Sequence, residues 1–440
     1  MFFHNRRTFF IILSLVMLVL LFFSNHQTSP TQLVDINSAD TAWMIVASAL
    51  VLLMTPGLAF FYGGMVNKKN VISTMLQSFI ALGIISLIWV LFGFSLAFGD
   101  SVNGWGIIGN PLQHLCLDNL DSKNSNIPYL LFALFQLKFA IITPAIITGS
   151  FAERIRFRSY LLFMILFCVF IYSPIAHTTW SPEGIFANFG DVIGIKGYEG
   201  LHVLDFAGGT VVHMSAGLAA LAGALYLGKR KVENTDPANI PFIILGTGLL
   251  WFGWFGFNAG SALAANYDAV VAFANTNIAS ASSMITWVLF DRFLNKKISA
   301  VGACIGAIVG LVAITPAAGF VSIPHSILIG FITALMCNLA MIKIKKSNRI
   351  DDTLDVFASH GIGGICGMIL TAVFAKDVGL VYGEVNTFIL HLIACVIVIL
   401  FAFFGSLLLY KIVDIILPMR VRQDQEERGL DLSQHGEEIV

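Results

Sequence analysis

Eleven times between residues 41 and 416 the chain runs through roughly twenty residues of mainly apolar side chains, without the alternation of a half-buried strand. The runs fall near 41–63, 72–98, 128–151, 159–176, 204–228, 240–263, 268–290, 299–315, 321–343, 354–375 and 385–416. A helix needs about 20 residues to cross the hydrocarbon of a bilayer. In lipid every backbone N–H and C=O must find its partner within the protein, which leaves only helices and closed barrels. Continuous apolar runs lack the dyad pattern of a barrel. The expected fold is therefore all-α and polytopic, with 57% hydrophobic and only 12% charged residues against about a quarter charged in soluble domains.

Lysine and arginine divide the loops into two sets. One set, with the C-terminal tail, holds nineteen: Lys68 and Lys69, three each near residues 154–158, 229–231 and 292–297, four near 343–349, and Lys411, Arg420, Arg422 and Arg428. The other holds three, Lys123, Lys196 and Lys376. The positive-inside rule then puts the start of the first core helix outside and the tail in the cytoplasm. Residues 1–30 carry Arg6 and Arg7 ahead of an apolar run from Phe9 to Phe23, the pattern of a signal peptide or a signal-like helix. Ser24 to Pro30 offers no Ala-x-Ala site, so cleavage and retention both stand. No linker divides residues 41–416, which are expected to form one transmembrane domain followed by a cytoplasmic tail at 417–440. Five of the six cysteines lie in apolar runs, which excludes a disulfide framework.

Eleven spans divide as five, five and one. Because five is odd, the second five run inverted to the first, as in inverted-repeat transporters. Asp205 and His213 lie on the last run of the first group and His360 on the last of the second. This symmetric placement puts the two histidines together near the midplane. A centred charge costs about 2.5–3.5 kcal/mol on insertion scales, so such residues face a cavity or a protein interior. Two neutral imidazoles can share a hydrogen bond and offer a polar strip in an apolar channel. The alternative is two separately satisfied histidines.

In the sixth run Trp254, Phe257 and Ser261 fall on one stripe, flanked by Gly253, Gly256 and Gly260. Such a stripe serves as a pore wall, a lipid face or a core, and Phe135 and Phe139, spaced i and i+4, share the same ambiguity. Trp180 reads as an interfacial belt residue or as one wall of a cation–π site worth about 0.5–2 kcal/mol. No phosphate loop, metal-ligand cluster or nucleophile–base pair is evident, so neither an enzyme nor a cofactor is expected.

The stretches Phe60 to Gly64, Gly149 to Phe157, Asp205 to His213, Gly253 to Ser261 and Asp351 to Gly361 together resemble the ammonium transporter (Amt/Mep/Rh) family, bacterial Amt subgroup. The resemblance runs from about Thr41 into the tail at Glu427 to Glu437. It implies an ammonium/ammonia transporter for nitrogen uptake: an eleven-helix protomer in a homotrimer, with one pore per subunit, in the bacterial cytoplasmic (inner) membrane. It also implies a PII-type regulatory protein at the cytoplasmic face. By motif, His213 and His360 match the twin pore histidines, and Phe139 and Phe257 the inner and outer phenylalanines of the external gate. Trp180, Ser261 and Phe135 match the ammonium-recruiting vestibule, Trp254 a pore-wall tryptophan, and Asp205 the aspartate that orients the vestibule. Ammonium is then deprotonated before the constriction and crosses as ammonia.

Two features depart from the family pattern. Lys138 sits mid-span beside Phe139, about 100° away around the helix, either at a protomer contact or as a positive charge near the pore. Residues Ser181 to His202 form a long insert that reshapes the outer rim. An ammonium sensor signalling through the tail is the competing reading, and an Rh-type gas channel is disfavoured by Trp180 and Ser261.

Overall fold

A computed structural model of the chain describes residues 36–118, 120, 126–194, 200–232, 236–347 and 349–439. The expected signal segment, residues 1–30, lies outside the described residues. Each of the eleven apolar runs is helical: α1 Ser38–Met65, α2 Lys68–Phe98, α3 Tyr129–Phe151, α4 Phe157–Trp180, α5 Gly209–Leu227, α6 Ile240–Gly260, α7 Tyr267–Phe293, α8 Ala300–Ile314, α9 Ile323–Ser347, α10 Phe357–Phe374 and α11 Val385–Ile416. Nine of these, among the described residues, are long and apolar enough to cross a membrane. The other two are α7, whose polar residues dilute its hydropathy, and α8, which is apolar but only 15 residues long. Asparagine or serine caps start five helices: the side chains of Asn37, Asn67, Asn239, Asn266 and Ser299 accept from the first-turn amides of α1, α2, α6, α7 and α8.

The glycines of the α6 stripe set the central helix pair. A Cβ at Gly253 or Gly256 would collide with Met54, Leu50 or Ala47 of α1, so the two backbones approach closely. The corresponding pair on the pore axis is α5 with α10. Both open on a π-helical turn, residues 209–214 and 357–362, and each carries its histidine there. They cross where Gly217 meets the backbone of Gly361: a methyl group at Gly217 would run into that backbone, and one at Gly361 would strike the Phe357 ring of its own helix. Gly217→Leu is therefore expected to prevent folding, because its side chain meets backbone rather than a movable neighbour. Size-exclusion elution of the detergent-extracted variant checks this, and a wild-type peak would refute it.

Two helix starts differ from expectation. Residues 204–208 and 354–355 fall within the apolar runs expected for α5 and α10, yet they lie outside the helices. Gly208 has φ +113°, which ends any N-terminal continuation of α5. Asp205 thus sits at the mouth of α5 and not within it.

The tail is stitched to the helix ends and loops on its own side of the bundle. Arg420 donates to the carbonyls of Leu227 (2.5 Å) and Lys229 (2.6 Å). Buried Glu426 pairs with Arg420 and accepts from the Lys231 amide. Asp431 caps the first turns of α2 through the amides of Ile72 (3.0 Å) and Ser73 (2.7 Å). Described parts of the 181–202 insert are tied to the loop after α2, with the Glu183 carboxylate 2.5 Å from the Ser101 amide and the Ile185 amide 2.9 Å from the Gly106 carbonyl.

Candidate functional site

The π-helical turns of α5 and α10 bring the imidazoles of His213 and His360 together, with their Nδ1 atoms 3.3 Å apart. Both are buried. They line a small chamber with Met54, Leu58, Ile142 and Val212, which has room for about one water-sized molecule. The pairing expected from the symmetric placement is present.

A third polar residue, unforeseen from the sequence, orients the pair. The Thr315 hydroxyl donates to the Leu311 carbonyl (2.8 Å) and accepts from Trp254 Nε1–H (2.9 Å). Its single hydrogen is thereby used, so His213 Nε2, 3.2 Å away, acts as donor. His213 Nδ1 is then bare and accepts from His360 Nδ1–H, which leaves His360 Nε2 as the free acceptor. This network assigns the tautomers of both neutral rings. Trp254 lies 5.4 Å from His213 in a stacked arrangement. Thr315→Val should mix the His213 tautomers, because it removes a buried hydrogen bond worth about 1 kcal/mol to an oriented group. Nitrogen NMR shifts of the ring would detect that mixing; a single unchanged tautomer would refute the assignment.

Above the histidines the channel is closed by two phenyl rings. Phe139 and Phe257 lie 4.2 Å apart by centroid, tilted by 31°. Phe257 also lies against His213 (6.1 Å) and Trp254 (5.5 Å), while Phe139 meets Trp180 edge-on at 5.7 Å. The expected order is therefore reversed: Phe257 is the inner ring and Phe139 the outer. Phe135 is fully buried, packed against Phe139 (4.9 Å) and beneath Gly260. It backs the outer ring and does not wall an open vestibule. Trp180 is half-buried, and Ser261, also half-buried, donates back to the Phe257 carbonyl at 2.9 Å.

Asp205 ties this outer wall to α5. Its Oδ1 accepts from the amides of Gly208 (2.8 Å) and Gly209 (2.6 Å), and its Oδ2 from the amide (2.8 Å) and hydroxyl (2.5 Å) of Thr210. Its carbonyl receives the indole N–H of Trp180 at 2.9 Å. A carboxylate here stabilises the orphan amides at the start of α5. Lys138 is half-buried on α3 and has no ion-pair partner among the described residues.

On the tail side of the bundle a cavity of about 600 Å³ opens among charged residues. Arg230 bridges Glu153 (2.7 Å) and Asp351 (2.9 Å), and Lys345 pairs with Asp355 (2.7 Å). Burial lifts the Asp351 carboxyl, but its bonds to Arg230 and the nearby Arg154 outweigh this and hold it below the usual range. Burial of Arg154, which donates to the carbonyls of Ser150 and Asp351, pulls its guanidinium down to about 10. Asp352 is pushed up to about 7 by burial and by neighbouring Asp355.

The sequence profile of the Ammonium Transporter Family matches residues 42–439. The chain is 45% identical over 408 residues to an ammonium transporter of Bacillus subtilis, covering 90% of this chain and 97% of that protein. Among solved structures it resembles the crystal structure of Candida albicans Mep2, with TM-score 0.80 and 34% identity over 89% of this chain and 88% of that one. It also resembles a sensor Amt protein, with TM-score 0.82 and 29% identity over 90% of this chain and 98% of that one.

Proposed function

The chain belongs to the ammonium transporter family, and on that premise we propose the path by which this multi-pass membrane protein moves ammonium. Ammonium is recruited beside Trp180 and Ser261, where the indole face and a hydroxyl oxygen replace part of its hydration. It loses a proton at the Phe139–Phe257 constriction, and ammonia passes into the histidine chamber. The observation that carries this reading is the chamber itself: apolar walls, room for one small molecule, and a single bare acceptor, His360 Nε2. A bare cation in such surroundings carries a desolvation penalty on the order of several kcal/mol at least. Ammonia carries none of that charge and can donate a hydrogen to His360.

The loop charges support a cytoplasmic tail and an external start of α1, in a bacterial inner membrane, with eleven spans formed from α1 to α11. The resemblance supports a homotrimer. The tail motif from Glu427 to Glu437 and the open inner cavity support a PII-type regulator docking at the cytoplasmic face.

An ammonium jump applied to proteoliposomes on a solid-supported membrane tests the path, with lumen pH followed in parallel. The expected result is a saturable current or lumen-pH change that His213→Ala alters. Wild-type protein giving neither would favour a sensing role and overturn transport.

A further inference from the structure

The chemistry-bearing residues on the outer side have a partner on the inner side that the motif reading passes over. Asp205 precedes His213 by eight residues, and Asp352 precedes His360 by the same eight. Each lies just before the π-helical turn that carries its histidine, and each caps it. Asp352 Oδ2 accepts from the Phe357 amide at 2.7 Å, as Asp205 accepts from the first amides of α5. The two differ in what remains. Both oxygens of Asp205 are filled by donors, whereas Asp352 Oδ1 is buried and has no hydrogen-bond partner. Asp352 is about nine-tenths buried (7% exposed) and contributes to the wall of the inner cavity.

We propose that Asp352 is the inner proton-exchange residue, the group that hands a proton to ammonia as it leaves the histidine chamber for the cytoplasm. This rests on the transport reading above. In the step, the carboxyl O–H bond breaks as the ammonia lone pair takes the hydrogen, which gives ammonium and the Asp352 carboxylate. A hydronium ion from the cytoplasmic water then restores the acid. The surroundings favour such a cycle. Asp355, Asp351 and Glu153 share the wall, with Arg154, Arg230 and Lys345 nearby and Tyr62 of α1 within electrostatic reach of Asp352. A carboxyl that titrates near neutrality is loaded below about pH 7 and empty above it. Its donor form is therefore lost as the inner pH rises.

The test uses full-length protein in proteoliposomes, with an ammonium chloride jump outside and the lumen buffered one unit below or above neutrality. The wild-type initial rate, corrected for the ammonia gradient, is expected to fall as lumen pH rises. Asp352→Asn keeps the oxygen that caps α10 and so keeps the structural role, but it cannot exchange a proton. It is expected to transport roughly tenfold or more slowly at the lower pH, the lower range for loss of a general acid, with a rate flat in lumen pH. The outer half-saturating concentration stays unchanged. A D352N rate and pH profile like wild type overturns the proposal while leaving transport intact. A wild type that does not respond at all overturns the transport reading instead. Should D352N fail to assemble, Asp352→Glu decides: it must retain the lumen-pH slope, and a flat slope overturns the assignment.

Discussion

Asp205→Ala is expected to reduce ammonium uptake by more than about tenfold, with most of the protein still folded. The substitution leaves three backbone amides and one hydroxyl at the mouth of α5 without their acceptor. Each buried unsatisfied group costs about 1–3 kcal/mol, and 1.4 kcal/mol is already tenfold in an equilibrium. Water can replace some of these bonds, so the helix persists while its first turn loosens. The Asp205 carbonyl moves with that turn and releases the Trp180 indole, which in turn frees Phe139. Asp205→Asn is expected to rescue poorly. Its amide nitrogen must face either Thr210 or the two glycine amides, and donor would then meet donor. Uptake assays on both variants, with indole fluorescence of Trp180 as a structural readout, check the chain of effects. Normal uptake by Asp205→Ala would show that the knot at the mouth is dispensable.

His213→Ala is expected to give the second large effect, a loss of selectivity more than of throughput. Removing the imidazole joins its volume to a chamber that now holds about one water-sized molecule. It also cuts the chain from His360 to Thr315 and leaves the His360 Nδ1–H without its acceptor. The enlarged, more polar chamber admits a continuous file of water, and the barrier against a cation falls with hydration. Potassium is then expected to pass where the wild type excludes it. Potassium-driven currents measured beside ammonium-driven ones settle the matter; a variant that still excludes potassium would remove His213 from the selective barrier.

The spans were legible in the sequence because lipid imposes one demand, an unbroken apolar run, on every helix alike. Where helices begin was less legible. Residues 204–208 look apolar, yet Gly208 turns the chain with a positive φ and Asp205 takes the first amides, an arrangement set by side-chain geometry. The two histidines could be paired in advance because each sits at the same place in its group of five. The order of Phe139 and Phe257 could not, since a helical stripe reports which side a ring faces and not how deep it lies against a ring on another helix. Thr315 and Asp352 escaped notice for a related reason. Thr315 is a single hydroxyl at the end of an apolar run, and its importance comes from His213, 102 positions away. Asp352 belongs to a run of acidic residues in which nothing marks the one oxygen left without a partner.

The contact of Gly217 with Gly361 has a mechanical meaning as well. Where two helices touch backbone to backbone, neither can roll or slide over the other without first separating, and here the touching helices are the two that carry the histidines. Many carriers work by rocking one half against the other about a central site; a riveted crossing at that site denies the halves their pivot. What remains free to move is small: a pair of aromatic rings swinging on single bonds, on a nanosecond rather than a millisecond scale. Throughput in such a frame is paced by ring motion and proton hand-over, and its temperature dependence should be shallow, closer to that of diffusion through a fixed conduit than to that of a moving machine.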